Sequence, residues 1–388
     1  VSFEINPAGS TGSFGIPTAV QVGLPTDATM NADWTSSNVA RYTPEAAVAR
    51  FKRVMPDTLF PKSLLVGQAY LYAGYANRLL GENFCQSVIP IVVPDTTAYV
   101  LSPGSLGSHT LYFLRADTAF TNAITTFTAS GDTTAQTANF ILAARGGRAS
   151  VRADLATYGL ASWADAVADA VPVPNTFVFQ APYSSASPDQ YNYLYWARAN
   201  QSFRAHTQWG TFYEGYYRTT RDPRVKWDST GLKGDAAVAK FGGRVPFWPE
   251  AKYTTTSAPV RLSSGWEMRL IEAEAALVAG DTAAARASMN VRRTALALPG
   301  VTFTTLPEAW TALKTERAIE LWLEARRLGD LRRWTDNSVP GGYVDGTYRA
   351  SVSDTLHATP IETMTAPVLR AHCFPVGRNE RETNPNVP

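Results

Sequence analysis

Two cysteines and four histidines in 388 residues leave metal and redox chemistry little to work with. Cys85 and Cys373 lie far apart and form no C-x-x-C, so neither a zinc nor a thiol-redox motif is supported. His109, His206, His357 and His372 make no H-E-x-x-H and no close ligand pair. G-x-S-x-G, G-x-x-x-x-G-K-S/T and G-x-G-x-x-G are missing too; Gly104-Ser105-Leu106-Gly107 comes nearest and lacks the spacing. No cofactor and no metal are therefore expected. Charge is also sparse: 18% of residues are charged, and the net charge is +2. A phosphate backbone calls for a clustered basic face, which argues against nucleic acid as the main partner. No apolar run approaches the ~20 residues of a membrane helix.

Aromatic residues are plentiful: 10 Trp, 17 Tyr and 17 Phe in an alanine-rich chain. Most must build a core, and a surplus on the surface would suit stacking against sugar rings. The stretch from Ser264 to Trp334 carries the clearest pattern. A helix over about 265–278 stops at Gly280-Asp281, and a second runs from Thr282 to about Leu296. Its Ala283, Ala284, Ala287 and Val291 are small enough for a close neighbour. A third helix begins near Pro307 and is expected to continue to Trp334, with Trp310, Leu313, Ala318, Leu321, Ala325 and Leu328 on one side. Glu316, Glu320 and Glu324 form an acidic stripe along it, interleaved with Arg317, Arg326, Arg327, Arg332 and Arg333. Charges this dense beside Trp322 and Trp334 predict a partly buried ion-pair network. The pattern of paired helices is that of tetratricopeptide-type repeats.

These motifs carry a resemblance. Helix-Gly-Asp-helix with E-A-E-A, then Asn290 and Arg293 in N-x-x-R-x-x-A, then the run Glu316, Arg317, Glu320, Leu321, Glu324, Arg327, Asp330, Leu331, Arg332, Arg333, Trp334 resembles the C-terminal half of the SusD/RagB-like family. Other blocks agree in order: the helix and exit from Ala69 to Pro90, Y-Y-R-x-x-R-D-P-R ending at Arg224, and the close from Phe374 to Asn386. Departures are the extra Asn83-Phe84-Cys85, and Gly377 and Arg381 where the family has Pro and Ile. The resemblance implies a mostly α fold of tetratricopeptide-like hairpins. It implies a nutrient-binding lipoprotein on the outer face of the outer membrane, a lid over a SusC-like TonB-dependent transporter. Membrane contact would come through a lipidated cysteine upstream of Val1; a chain starting Val-Ser-Phe reads as processed or truncated. The family places the segments bearing Cys85 and Cys373 near each other, which implies a disulfide; two free buried thiols are the alternative.

Read along its length, the chain is expected to be one domain over residues 1–388. Its helical scaffold covers about 43–171, 188–208 and 263–335. A loop-rich binding region covers about 1–42, 172–187, 209–262 and 336–388. Residues 1–38 read as loop, and a helix opens at Thr43-Pro44. In the helix over about 62–80, Leu65, Ala69, Tyr72, Ala73, Ala76 and Leu79/Leu80 share a side. Helices follow from His109 to Gly131, over 133–158 with a break or kink at Gly146-Gly147, over 160–171 and over 188–207.

Two loops offer the mixture that binds carbohydrate, aromatic faces beside amide or guanidinium groups. One is Asp33-Trp34 with Asn38, where a Trp among small polar residues is expected to be exposed. The other holds Trp209, Tyr213, Tyr216, Tyr217, Arg218 and Arg221, with Trp227 and Trp248 as weaker candidates. The expected function is capture of an oligosaccharide or a peptide for the transporter, with no bond made or broken. The alternatives are a glycan-processing hydrolase and a helical-repeat protein scaffold. The hydrolase would use Glu320 and Glu324, one turn and about 6 Å apart, within the range where glycosidases keep their two carboxyls.

Overall fold

The structure, a computed structural model, describes residues 4–8, 24–94, 99–199, 203–234, 246–343 and 372–388. Several helices start where a short polar side chain can take an orphan N–H. Thr134 accepts from Thr137, Ser162 from Asp165, Thr211 from Glu214, Ser264 from Glu267 and Asp281 from Ala284. Thr305 and Glu308 form a reciprocal capping box.

In chain order the elements are β1 (Asn6–Pro7), α1 (Asn31–Val54), α2 (Leu64–Asn83), β2 (Gln86–Val88), β3 (Ile91–Pro94), β4 (Tyr99–Ser102) and β5 (Leu106–Ser108). Then come α3 (Thr110–Ser130), α4 (Ala135–Thr157), α5 (Trp163–Ala170), β6 (Val178–Ala181), α6 (Tyr193–Ala199), β7 (His206–Thr207) and α7 (Phe212–Thr220). The rest are β8 (Val260–Ser264), α8 (Gly265–Val278), α9 (Thr282–Ala295), α10 (Leu306–Glu320), α11 (Arg327–Asp336) and α12 (Arg378–Thr383). Successive helices pack in sequence, α1 through α5 and then α8 through α10, as stacked hairpins require. The strands form two-stranded antiparallel pairs, β1 with β7, β2 with β5, β3 with β4 and β6 with β8.

Glycines at heptad spacing meet phenylalanines at the same spacing in the largest core. Gly67, Gly74 and Gly81 on α2 face Phe127, Phe120 and Phe113 on α3, in antiparallel order. A Cβ on any of the three glycines would lie 2.6 Å from its ring. The absent side chains are what let the rings reach the α2 backbone. The side read from the sequence is therefore buried only in part, at Ala69, Ala73 and Leu80. Leu65 and Tyr72 are exposed, while Val66, Leu71, Ala73, Tyr75 and Leu80 are buried. Gly147 on α4 meets Phe120 from the other side, and Gly146 meets Ser263. The two glycines therefore serve close packing, and α4 runs unbroken through the expected kink.

Three other expectations fail for tertiary reasons. Helix α1 begins at Asn31, well before Thr43-Pro44, and carries Pro44 inside it. Its start is held by the C-terminal segment: Arg378 donates its N–H to the Asp27 carbonyl, and Asn379 its N–H to Asn31 Oδ1 at 2.9 Å. Among the described residues the α-helix expected over 188–207 appears as α6, and His206 and Thr207 pair with β1 instead. The region after residue 209, expected as loop and strand, contains α7.

The last correction concerns the charged helix. It ends at Glu320, turns through Leu323 and Ala325 (both φ 58°), and restarts as α11 at Arg327. Groups from distant segments satisfy the freed backbone. Tyr213 Oη donates to the Ala318 carbonyl at 3.2 Å, Tyr253 Oη to that of Leu323 at 2.8 Å, and Lys252 and Arg261 to those of Trp322 and Glu320. Glu4 accepts the Leu323 N–H at 2.6 Å.

The acidic stripe becomes the buried network that the sequence suggested. Arg333 holds Glu274 with two bonds of 2.6 and 2.8 Å, and Asp330 at 2.9 Å. Arg317 bridges Asp330 at 2.8 Å, and Arg326 joins Glu267 at 2.7 Å and Glu82 at 2.9 Å. The network thus ties α2, α8, α10 and α11 together. Burial pushes the Glu82 carboxyl up, while the guanidiniums beside Asp330 hold it down at about 2. Cys85 and Cys373 are joined, S–S 2.09 Å and Cα–Cα 5.0 Å. Beside them Cys85 donates its N–H to the Phe374 carbonyl at 2.8 Å, and Phe374 donates to that of Asn83 at 2.7 Å.

Candidate functional site

Thr211 caps α7, and Arg221 ends it with φ 56°. Nine residues between them carry one aromatic side inward and one outward. On the inner side Tyr213 is buried, stacks on Trp322 at 5.4 Å and spends its hydroxyl on the Ala318 carbonyl. Tyr216 is half-buried. Its hydroxyl donates to Asp222 at 3.1 Å and accepts from Arg293 at 3.3 Å. The D-P-R element fixes this side. Asp222 accepts the Arg224 N–H at 3.0 Å, and Arg224 reaches Glu316 at 2.9 Å. The motif thereby locks α7 to α10 and has a structural task.

The outer side is built differently. Trp227 and Trp248 stack with centroids 5.2 Å apart and planes inclined by 18°. The Arg218 guanidinium lies 5.0 Å from one ring centroid and 4.7 Å from the other. Tyr217 meets Trp227 edge-on at 5.9 Å, and Arg221 lies over Tyr217 at 5.5 Å. Arg218 and Arg221 are exposed, Tyr217 and Trp248 half-exposed, and Trp227 buried. Trp209, also half-exposed, precedes the cap and accepts a hydrogen bond from Asn6 on its carbonyl at 2.9 Å. The backbone joins these pieces, since Gln208 donates its N–H to the Trp248 carbonyl at 2.7 Å. The sequence ranked Trp248 and Trp227 as weaker candidates, and the structure stacks them on each other. Their pairing comes from a long return of the chain, and no spacing announces it.

The first predicted loop takes no part in this face. Trp34 is 2% exposed, which corrects the expectation of an exposed ring. It packs edge-on against Phe84 at 5.0 Å, with Leu80, Val88, Tyr112 and Val376 in the same cluster. Asn38 turns back on its own helix, donating to the Trp34 carbonyl at 3.0 Å and accepting from Arg41 at 3.3 Å. Neither presents a stacking face, because residues 31–38 are helix against the core rather than loop.

Glu320 and Glu324 are buried as well. Arg261 donates to Glu320 at 2.9 Å and to Glu324 at 2.6 Å, and Lys252 donates to Glu324 at 2.5 Å. Carboxylates held this way serve neither as general acid nor as nucleophile. His206 is packed with both ring nitrogens lacking hydrogen-bond partners, and burial lowers its pKa to about 4. Among the described residues no group of three or more His, Cys, Asp or Glu side chains is placed to hold a metal. Among the same residues no helix is long and apolar enough to cross a membrane.

Comparison with known proteins gives a consistent result. The sequence profile described as the SusD family matches residues 191–387, half of the chain. A SusD superfamily protein from Parabacteroides distasonis is 14% identical, superposes with a TM-score of 0.67, and is matched over 100% of this chain and 90% of its own. A surface glycan-binding protein A from Bacteroides uniformis gives 13% identity and a TM-score of 0.67 over 99% and 90% of the two chains. A SusD superfamily protein from Bacteroides vulgatus gives 14% and 0.66 over 100% and 92%. None of the curated proteins matches the chain.

Proposed function

The chain belongs to the SusD family, and from that premise we propose that it is a surface glycan-binding protein working with a SusC-type, TonB-dependent partner at the outer membrane. The outer side of α7 with Trp248 is the proposed ligand face, comprising Trp209, Tyr217, Arg218 and Trp248. The observation carrying this is the aromatic and guanidinium surface, displayed on a helix that Arg224 and Tyr213 lock to the core. A rigid platform binds a sugar ring with little ordering cost, by stacking plus hydrogen bonds to hydroxyls. Of the residues read from the sequence, Trp34, Asn38, Tyr213 and Tyr216 are spent on packing and internal hydrogen bonds and are not proposed as ligand contacts. The membrane contact is proposed to come from a lipid anchor upstream of Val1.

Trp248→Ala and Tyr217→Ala are expected to weaken retention of a bound glycan in affinity electrophoresis by about tenfold each, with the melting temperature unchanged. The purified protein is screened first against glycan and peptide panels. Retention of peptides with no glycan retained would favour the peptide-carrier reading. Unaltered glycan retention in both variants would place the ligand elsewhere.

A further inference from the structure

Resting on that reading of the α7 face, we infer that the glycan it takes is acidic, with carboxylate or sulfate groups received by Arg218 and Arg221. Arginines on the inner side of α7 are matched by acids: Arg224 by Asp222 at 2.7 Å and Glu316 at 2.9 Å, Arg293 by Glu316 at 2.5 Å. The outer face breaks that pattern. Among the described residues Arg221 has no carboxylate partner, and it is exposed. Arg218 meets Glu214 through Nε at 3.1 Å, leaving its two Nη groups without a hydrogen-bond partner among the described residues. Glu214 is itself partly engaged, accepting the Gly210 N–H at 2.7 Å.

Position strengthens the case. The Arg218 guanidinium is held against two indole rings, and that of Arg221 against Tyr217. Stacking orients a planar fork and lowers the entropy lost when it binds. A neutral sugar offers a guanidinium only uncharged hydroxyl acceptors, whereas a carboxylate or sulfate accepts two parallel, charge-assisted N–H bonds from one. The arrangement offers aromatic faces for the ring and forked donors for the charge.

The test uses the full chain and matched polymers that differ in charge: polygalacturonate and its methyl ester, and dextran sulfate and dextran. Affinity electrophoresis reads retention at several salt concentrations. The charged member of at least one pair is expected to be retained about tenfold more strongly. R218A and R221A are each expected to lower that retention by about tenfold, with Tm unchanged. R50A, removing an exposed arginine of α1, is expected to leave it as it was. Equal or better retention of the neutral members overturns the inference while leaving the glycan-binding reading intact. Indifference to R218A and R221A, or an equal fall with R50A, overturns it as diffuse attraction. No polymer retained, with peptides retained in the panel above, overturns both.

Discussion

At the scale of single residues, burial decides what a charge is for. Arg333 is 2% exposed and answers Glu274, Asp330 and Asp154. Arg333→Met would leave these acids in a low-dielectric site without their cation, and is expected to cost about 3–5 kcal/mol in urea unfolding. Glycine is specified as tightly. Gly74→Ala pushes a methyl group into the Phe120 ring and is expected to cost about 1–3 kcal/mol. Combining it with Phe120→Leu should recover part of that loss, and the coupling is read in a double-mutant cycle. His206 predicts a pH effect. Its pKa is depressed to about 4 by burial, against an ordinary value of 6.5, so the unfolded chain takes up the proton first as pH falls. Its contribution is complete above pH ~6.5 and is lost between about 6.5 and 4. His206→Gln is expected to flatten the fall of stability across that interval, measured by unfolding at about pH 7 and about pH 4.5.

At the scale of elements, the turn between α10 and α11 shows how a helix is interrupted without glycine or proline. Two residues with side chains sit at φ 58°, held there by donors from β8, α7 and the segment around Tyr253. Ala325 is exposed, so Ala325→Gly removes the steric cost without opening a cavity. It is expected to raise stability by about 0.5–1 kcal/mol, seen as a higher denaturant midpoint at unchanged m. The same turn brings Trp322 under Tyr213, which sets the depth at which α7 lies. Without the interruption the stripe of Glu316, Glu320 and Glu324 would continue along one straight helix, and Glu324 would not meet Lys252.

At the scale of the whole molecule, two ties hold the ends of the chain. Glu4 reaches Leu323, and the Cys85–Cys373 bridge closes a separation of 288 residues. Cys85→Ser with Cys373→Ser releases that constraint on the unfolded chain, with an expected loss of about 2–5 kcal/mol. The bridge stands beside Trp34, α12 and the end of α2, so loosening is expected to start there. Hydrogen exchange of α1 and α12 should rise before that of α4 or α8.

What the sequence determined by itself is what local chemistry can write. The stop at Gly280, the cap at Asp281 and the helical periods on either side placed α8 and α9 within a residue or two, because those bonds close over three or four positions. The ordered motifs from Glu316 to Trp334 carried the family, and their charge density announced a buried network. Tertiary structure decided the rest. Whether Trp34 stacks on a sugar or on Phe84 depends on a C-terminal segment more than 300 positions away, and helix α1 starts early for that same reason. Whether Tyr213 faces out depends on Trp322, and Trp248 finds Trp227 through a return of the chain that no spacing encodes. Contacts of that range are fixed by packing the finished frame, and one-dimensional periodicity carries no term for them.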